Sequence, residues 1–310
     1  MEICRTGLTA PSGQCSGGFY CTGSSSSPTP TPTSDVGGIC PKGSYCESAS
    51  ATPKACAPGT YANETGRESC DPCPARYSCA SETITPAICQ AGAYCPPETN
   101  STLPLCIPGT FSNMMGLSSV DECALCTPGK YCATFGLTAV SGNVQAGYYC
   151  PGSCIDQFGR SANTSDCSFD FRICPSVHYC PTSSAQPTPC PIGTYRSLTG
   201  ATAISDCLDC TPGSFCNATG LSQPSGLCKP GHYCKLGAIN AAPVGNPTGD
   251  ICSRGHFCVQ GSVQPVACAA GSYNDVYGAE QCKICPDRYF CPANSTGYIE
   301  NECPEVFSCF

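Results

Sequence analysis

Tryptophan is missing from the sequence, and large apolar side chains are scarce. Leu, Ile, Val and Phe together supply 46 of the 310 residues, or about 15%, which is below the share that a conventional hydrophobic core requires. A fold held mainly by packed aliphatic and aromatic side chains is therefore excluded. We expect covalent crosslinks to replace that packing.

Basic residues and long apolar stretches are also lacking. The 14 Lys and Arg against 22 Asp and Glu give a net charge of −8, so the chain has no basic surface of the kind that nucleic acid or anionic lipid requires. No stretch approaches the roughly 20 apolar residues that span a bilayer. The start, Met1-Glu2-Ile3-Cys4, lacks the regions of a signal peptide. We expect any leader or anchor to lie outside residues 1–310.

Histidine is rare as well. His178, His232 and His256 all precede an aromatic residue and a cysteine, in a slot that other copies of the motif fill with Ser, Ala or Lys. A catalytic histidine needs one particular environment, so we interpret these three as variable turn positions. We predict no catalytic residues and expect the chain not to be an enzyme.

Cysteine is abundant instead. The 34 cysteines exceed the roughly 8–10% that marks a disulfide scaffold, and each bridge typically stabilises by about 2–4 kcal/mol. Dense bridges persist only in an oxidising compartment. We therefore predict an extracellular or cell-surface protein. A secreted disulfide oxidoreductase would show an odd, reactive cysteine, whereas the total here is even.

The cysteines recur at fixed spacings. Two cysteines with five residues between them occur eleven times, at 15/21, 40/46, 73/79, 89/95, 126/132, 174/180, 210/216, 228/234, 252/258, 285/291 and 303/309. Four longer loops lie between them, each closing with Cys-x-x-Cys. Aligned on cysteines, the chain divides into a segment 1–39, a module 40–95, a variant module 96–154, an insert 155–173, a module 174–234, a linker 235–251 and a module 252–310.

Proline and glycine, 63 residues together, predict turns and short strands. Five Pro-Gly copies fit a type II turn, in which Pro takes the second position and Gly the third, at 57–60, 107–110, 127–130, 211–214 and 229–232. An aromatic residue follows two positions after the Gly, and we expect it to lie over a nearby disulfide. The predicted fold is a set of small disulfide-rich repeats forming an elongated rod of short β-hairpins and turns, with almost no helix.

The Cys-x-x-Cys pairs have alternative interpretations. Their spacing suits a zinc knuckle or a redox dithiol, but each pair sits in a longer ladder of cysteines, which favours structural disulfides. Calcium would need clustered carboxylates, and those here are scattered. We expect no metal and no cofactor apart from covalent glycans.

The motif Cys-x-Pro-Gly-Thr-Tyr, followed by a loop with an internal Gly and then by Cys-x-x-Cys-Pro or Cys-x-x-Cys-Thr-Pro-Gly, resembles the cysteine-rich ephrin-receptor-like modules. These modules also occur in tandem in surface proteins of algae and other protists, and tumour-necrosis-factor-receptor repeats are more loosely similar. The resemblance covers about residues 40–309. It is specific for module type and weak for function, since such modules serve in stalks, adhesins and matrices alike.

The resemblance implies a disulfide pairing. Each long loop would close on itself, as Cys56–Cys70, Cys106–Cys123, Cys190–Cys207 and Cys268–Cys282. The next four cysteines would interlock, as Cys73–Cys89 with Cys79–Cys95, Cys210–Cys228 with Cys216–Cys234, and Cys285–Cys303 with Cys291–Cys309. Spacing alone leaves the connectivity open. The cysteines whose partners are hardest to assign are Cys4, Cys150, Cys154 and Cys167.

Two sequence features predict glycans. Five Asn-x-Ser/Thr sequons occur, at Asn63, Asn100, Asn163, Asn217 and Asn294, and we expect Asn217 and Asn294 to be equivalent because each follows a cysteine pair. A Ser/Thr/Pro tract at 24–34 is typical of an O-glycosylated stalk or of a plain linker. If it is ordered, we expect glycans or a neighbouring subunit to pack against it. Its candidate acceptors, with prolines as hydroxyproline, are Ser24, Ser25, Ser26, Ser27, Pro28, Thr29, Pro30, Thr31, Pro32 and Thr33.

These features predict a structural or adhesive protein. The leading hypothesis is a subunit of an extracellular glycosylated filament or surface stalk, in which copies of the chain join end to end. The alternative is a receptor or adhesin ectodomain that binds a protein or a glycan. Because the array ends just after Cys309, we predict that Phe307 and Phe310 form the subunit joint.

Overall fold

The computed structural model describes residues 2–3, 13–22, 25–31, 36–161 and 171–298. The chain divides into two compact units, one of Met1–Gly142 with Gly152–Asp156 and Ser161–Cys167, the other of Asn143–Pro151, Gln157–Arg160 and Ser168–Phe310. Several predicted residues lie outside the described ranges, namely Cys4, Ser24, Pro32, Thr33, Asn163, Cys167, Cys303, Phe307, Cys309 and Phe310.

The described residues form short two-stranded sheets, and each strand pairs with its neighbour in sequence, from β1 with β2 to β25 with β26. The strands are β1 Glu2–Ile3, β2 Gly13–Gln14, β3 Phe19–Cys21, β4 Gly37–Ile39, β5 Ser44–Tyr45, β6 Lys54–Ala55, β7 Thr60–Tyr61, β8 Asp71–Pro72, β9 Tyr77–Ser78, β10 Ala87–Ile88, β11 Thr110–Phe111, β12 Ala124–Leu125, β13 Lys130–Tyr131, β14 Gly142–Asn143, β15 His178–Tyr179, β16 Thr188–Pro189, β17 Thr194–Tyr195, β18 Leu208–Asp209, β19 Ser214–Phe215, β20 Gly226–Leu227, β21 His232–Cys234, β22 Gly249–Ile251, β23 His256–Phe257, β24 Val266–Ala267, β25 Ser272–Tyr273 and β26 Lys283–Ile284.

Helix within the described ranges is limited to two 3₁₀ turns, Val120–Glu122 and Ile204–Asp206. The predicted fold class, disulfide-rich repeats of short hairpins with almost no helix, is confirmed. None of the helical segments described is long and apolar enough to cross a membrane.

The hairpins belong to a repeat shorter than the eight-cysteine module seen in the sequence. We count positions from the residue that opens each repeat. The turn residue lies three positions later, the closing residue six positions later, and the tail residue nine or ten. In the first unit the opening residues are Cys15, Cys40, Cys56, Cys73, Cys89, Cys106 and Cys126, and in the second they are Val144, Cys174, Cys190, Cys210, Cys228, Cys252, Cys268 and Cys285.

The turn residue has a positive φ in every described repeat. Gly59 has φ +90°, and the Thr60 N–H donates to the Ala57 carbonyl at 3.0 Å. With Pro58 at the second position this is the predicted type II turn. The same bond and a positive φ at Gly confirm the other four predicted turns, at 107–110, 127–130, 211–214 and 229–232.

The tail residue is the second position in each repeat at which the backbone is left-handed. Glycine fills it in many repeats, for example Gly66 at φ +76° and Gly278 at φ +73°. These two positions account for all nine non-glycine residues of positive φ in the described ranges. Three are turn residues and six are tail residues, namely Arg76, Val177 and Arg288, then Ala49, Glu82, Glu98, Ser153, Ser183 and Asn294.

Consecutive repeats within each unit are joined by four backbone hydrogen bonds. Between the repeats that open at Cys40 and Cys56, the Cys56 N–H donates to the Gly43 carbonyl at 3.0 Å, and the Gly43 N–H donates to the Ala62 carbonyl at 2.9 Å. The Cys46 N–H donates to the Arg67 carbonyl at 2.9 Å, and the Gly66 N–H to the Cys40 carbonyl at 2.8 Å. This ladder satisfies the backbone polar groups of a fold that has very short strands.

Disulfides take the place of a hydrophobic core. Most described cysteines are fully buried, accompanied by small residues such as Ala62 and Ala201 and by Val144. Tyr94 packs against the cluster that contains Cys106 and Cys123, which belongs to the following repeat. Phe215 packs in the same way against Cys228 and Cys234. The prediction that the aromatic residue lies over a disulfide is confirmed for these two, and the disulfide is that of the next repeat.

Candidate functional site

The four long-loop disulfides join the cysteines that the resemblance implied. Each has a Cα–Cα distance of 5.7 to 5.8 Å, inside the usual range for a disulfide. This part of the predicted connectivity is confirmed, namely Cys56–Cys70, Cys106–Cys123, Cys190–Cys207 and Cys268–Cys282.

The interlocked pairing is wrong. Every described pair with five intervening residues closes on itself, because the turn between the two cysteines brings their Cα atoms to about 5.9 Å. The observed bridges replace Cys73–Cys89, Cys79–Cys95, Cys210–Cys228, Cys216–Cys234 and the predicted partners of Cys285 and Cys291. They are Cys15–Cys21, Cys40–Cys46, Cys73–Cys79, Cys89–Cys95, Cys126–Cys132, Cys174–Cys180, Cys210–Cys216, Cys228–Cys234, Cys252–Cys258 and Cys285–Cys291.

The closing residue decides which disulfide a repeat forms. Where it is cysteine, it bonds the opening cysteine. In the four long-loop repeats it is Ala62, Ser112, Arg196 or Asn274, and the opening cysteine bonds a cysteine just before the next repeat instead. The backbone does not change, since the Ala62 carbonyl accepts the Gly43 N–H at 2.9 Å just as the Cys46 carbonyl accepts the Gly18 N–H at 2.8 Å.

One repeat opens without a cysteine. Val144 is fully buried in the opening position, and its carbonyl accepts the Ser183 N–H at 2.9 Å as an opening cysteine would. Tyr148, Phe158 and Phe171 make edge-to-face contacts in the same repeat, with ring centroids 5.3 and 6.0 Å apart. Cys150 and Cys154, which the sequence left unassigned, are both disulfide-bonded.

The sequons in the described ranges have exposed asparagines, and these are Asn63, Asn100, Asn217 and Asn294. The Asn100 Oδ1 accepts the Thr102 N–H at 2.7 Å, and the Asn217 Oδ1 accepts the Ser225 hydroxyl at 2.7 Å. Both bonds use the side-chain oxygen and not the amide nitrogen, which is the atom that carries an N-linked sugar.

Asn217 and Asn294 are not equivalent, contrary to the expectation from sequence. Asn294 is a tail residue with φ +69° whose N–H donates to the Cys268 carbonyl. Asn217 follows a closing residue directly, and the asparagine that matches it is Asn63, which follows the closing residue Ala62. The cysteine alignment misled because it grouped an asparagine one residue after a cysteine with one three residues after a cysteine, and these two places have different backbone conformations.

The described part of the Ser/Thr/Pro tract, residues 25–31, packs on its own repeat. The Pro28 carbonyl accepts the Ser16 N–H at 2.9 Å, and the Ser25 N–H donates to the Thr22 carbonyl at 3.1 Å. Pro30 is buried. The expected packing by glycans or a neighbouring subunit is therefore not needed for order, since the repeat that opens at Cys15 supplies the contacts.

A second repeat has a loop that matches the one at residues 25–31. In the repeat that opens at Cys228, the Ala241 carbonyl accepts the Lys229 N–H at 2.7 Å, and Pro243 is fully buried. Strand β22 then returns to pair with β21. Residues 235–251, interpreted from the sequence as a linker, thus contribute the loop and return strand of this repeat.

The three histidines all begin the strand that follows the turn residue, and all are half-buried. His178 Nδ1 lies 2.9 Å from the Ser176 carbonyl oxygen, and His256 Nδ1 lies 3.1 Å from the Ser253 Oγ. These are contacts within one local turn, as expected for a variable turn position.

Hydrogen bonding at the surface favours charged forms. The pKa of Lys54 is raised because its ammonium donates to Glu47 at 2.6 Å. The pKa of Asp206 is lowered because its carboxylate accepts the backbone N–H and the hydroxyl of Thr202. Similar hydrogen bonds lower the pKa values of Glu122, Asp250 and Asp275 and raise that of Lys283. These shifts move the pKa values of the named groups away from neutrality.

Among the residues that the structure describes, no group of three His, Cys, Asp or Glu side chains could hold a metal ion. The chain was also compared with known proteins. No protein-family model matches the chain, and no curated protein matches it either.

Proposed function

We propose that the chain is a structural subunit of an extracellular, glycosylated filament or cell-surface stalk, in which copies join end to end. The observation that carries this proposal is the ladder between repeats. Each repeat presents the same acceptors and donors to the next, for example the Gly43 N–H and carbonyl toward the repeat that opens at Cys56. A surface that stacks on a copy of itself within a chain is suited to stack on another chain.

The composition of the buried residues supports an extracellular site of action. Cystines make up most of the buried set, and such bridges persist in oxidising compartments. The four exposed sequons of the described ranges offer attachment points for a glycan coat. A stalk or filament uses both properties, since bridges resist unfolding outside the cell and sugars limit lateral association.

Assembly is tested by electron microscopy of native material and of the purified chain. We expect filaments, and we expect Phe307→Asp with Phe310→Asp to leave single chains, because charge at the predicted joint opposes apolar contact. The control is Phe135→Asp, since Phe135 is 61% exposed in the middle of the chain and its replacement should leave filaments intact. Dispersed single chains from the unaltered protein would contradict end-to-end assembly.

N-glycosylation is tested with an added sequon. Asn113 follows the closing residue Ser112 and is exposed, in the same position as Asn63 and Asn217. Met115→Thr completes a sequon there, and we expect one further N-glycan when the variant passes through a secretory pathway, read by mass after enzymatic release. Met115→Ala is the matched control and should add none. An unglycosylated Met115→Thr variant, with Asn63 and Asn217 also unoccupied, would refute the proposal.

A receptor or adhesin ectodomain is the second candidate, favoured by large apolar side chains at exposed loop positions. Leu198, Val244 and Met114 are between 64% and 69% exposed, and apolar side chains at loop tips are suited to contact a protein partner. This candidate predicts dispersed single chains in the microscope, so the same experiment separates the two.

A further inference from the structure

The loop 25–31 has an inner and an outer side. Ser25 is only 2% exposed, and its hydroxyl donates to the Ser27 carbonyl at 2.9 Å. Pro30 is buried as well, whereas Ser26, Thr29 and Thr31 are exposed. The tract that the sequence presents as a uniform run of possible acceptors is therefore divided by the fold.

Two anchors hold the loop in this orientation. One is the Pro28 carbonyl, which accepts the Ser16 N–H at 2.9 Å. The other is the Pro30 ring, whose Cγ lies 2.9 Å from the point where a β-carbon on Gly37 would sit. Pro30 packs inward, whereas Thr29 and Thr31 on either side of it are exposed. The buried Cγ of Pro30 also leaves no room for hydroxylation at that atom.

The matching loop in the repeat that opens at Cys228 shows that the fold does not require the outer hydroxyls. Counted from the opening residues Cys15 and Cys228, Ser25 matches Ala238, Thr29 matches Ala242 and Pro30 matches Pro243. Ala238 and Pro243 are fully buried, as Ser25 and Pro30 are. The loop thus adopts the same contacts with alanine at the position of Thr29.

We propose that Ser26, Thr29 and Thr31 are the O-glycan acceptors of this loop, and that Ser25 is not modified. The donor is a nucleotide-activated sugar used by a secretory-pathway transferase. The hydroxyl oxygen forms a bond to the anomeric carbon as the bond from that carbon to the diphosphate breaks. The nucleoside diphosphate leaves, and the hydroxyl proton passes to a base of the transferase or to the departing phosphate. No oxidation is involved. The inference rests on the glycosylated, extracellular part of the proposed function and is independent of filament assembly.

The test uses the folded, unglycosylated chain and the same chain after reduction and alkylation. Each is incubated with a Ser/Thr transferase and UDP-N-acetylgalactosamine, and fragmentation mass spectrometry locates the sugars. In the folded chain we expect sugars on Ser26, Thr29 and Thr31, and at least a tenfold lower rate at Ser25. In the reduced chain that difference should disappear, because burial no longer protects Ser25.

Two variants complete the test, and the second loop shows that both can fold. Thr29→Ala should remove one sugar from the folded chain, and Ser25→Ala should remove none. Sugar on Ser25 of the folded chain at the rate of Ser26 would overturn the proposal. Failure of Ser26, Thr29 and Thr31 to accept sugar, in either form of the chain, would overturn it too. Because the assay is done on single chains, neither outcome bears on filament assembly.

Discussion

Replacing Gly231 with alanine is expected to destabilise its part of the second unit by about 3 kcal/mol. The residue has φ +79°, and a β-carbon there would lie 2.3 Å from the carbonyl oxygen of Gly278 and 2.9 Å from its carbonyl carbon. The left-handed conformation costs alanine about 1–2 kcal/mol, and forcing extra atoms against packed backbone adds about 1–3 kcal/mol. The peptide units on either side of this carbonyl's unit are held, since the Gly278 N–H donates to the Cys252 carbonyl at 2.8 Å and the Ala279 carbonyl accepts the Cys258 N–H at 2.9 Å.

Gly237→Ala in the same repeat is the matched control. Gly237 has φ +74°, but no described atom lies within 4 Å of its added β-carbon. Only the conformational cost applies, about 1–2 kcal/mol. Native-state hydrogen exchange at the amides of Cys252 and Gly278 measures both variants, and we expect exchange about 100-fold faster for Gly231→Ala and about tenfold faster for Gly237→Ala. Equal effects would show that the contact with Gly278 does not matter.

The same contact is found at other turn positions that hold glycine. A β-carbon on Gly18 would lie 2.3 Å from the Gly66 carbonyl oxygen, and one on Gly92 would lie 2.3 Å from that of Gly136. In each case the carbonyl belongs to the repeat two places further along. Arg76 fills the position differently, since its Nη1 donates to the Gly116 carbonyl at 2.8 Å. Val177 fills the position with φ +64° and no side-chain donor, so the cost at Gly231 follows from its own 2.3 Å contact with the Gly278 carbonyl oxygen.

Much of the fold could be predicted from the sequence because its signals are local. Pro58-Gly59 specifies a turn through the φ values that the two residues allow, and the predicted turn is present. The hairpins and the scarcity of helix were predicted as well, and the long-loop disulfides were implied by the family resemblance. The ladder could not be predicted, because backbone groups form it and no side chain marks them. One sequence signal does point to the short repeat, namely that small or polar residues such as Ala62 and Ser112 recur six positions after a cysteine.

The candidate site could be predicted in outline only. The sequence identified the asparagines of the sequons and the candidate acceptors of the Ser/Thr/Pro tract, since a motif is enough to find them. It could not separate Ser25 from Ser26, because burial of one hydroxyl depends on how Pro30 packs against Gly37, a contact between residues seven positions apart. It also placed Asn217 with Asn294 rather than with Asn63, because both asparagines lie close behind a cysteine and the sequence does not show that only the later place has left-handed backbone.

Replacing Ala62 with cysteine is expected to change the disulfide connectivity of its repeat. Ala62 is fully buried at the closing position, where the previous repeat has Cys46, whose Cα lies 5.9 Å from that of Cys40. The backbone thus already holds position 62 in a geometry that suits a bridge to Cys56. Closing 6 residues is also entropically easier than closing the 14 that separate Cys56 from Cys70, by about 0.6 kcal/mol for each doubling of loop length.

We therefore expect Cys56 to bond the new cysteine in most molecules and Cys70 to become a free thiol. Peptide mapping without reduction identifies the bridge, and a maleimide label should mark Cys70, which is half-buried, once per chain. Glu64→Cys is the control, because Glu64 is exposed outside the closing position. There the label should mark position 64 and the Cys56–Cys70 bridge should persist. If Cys56–Cys70 also persists in most molecules of Ala62→Cys, the closing residue does not decide the pairing, and the long loop must select its own bridge before the turn forms.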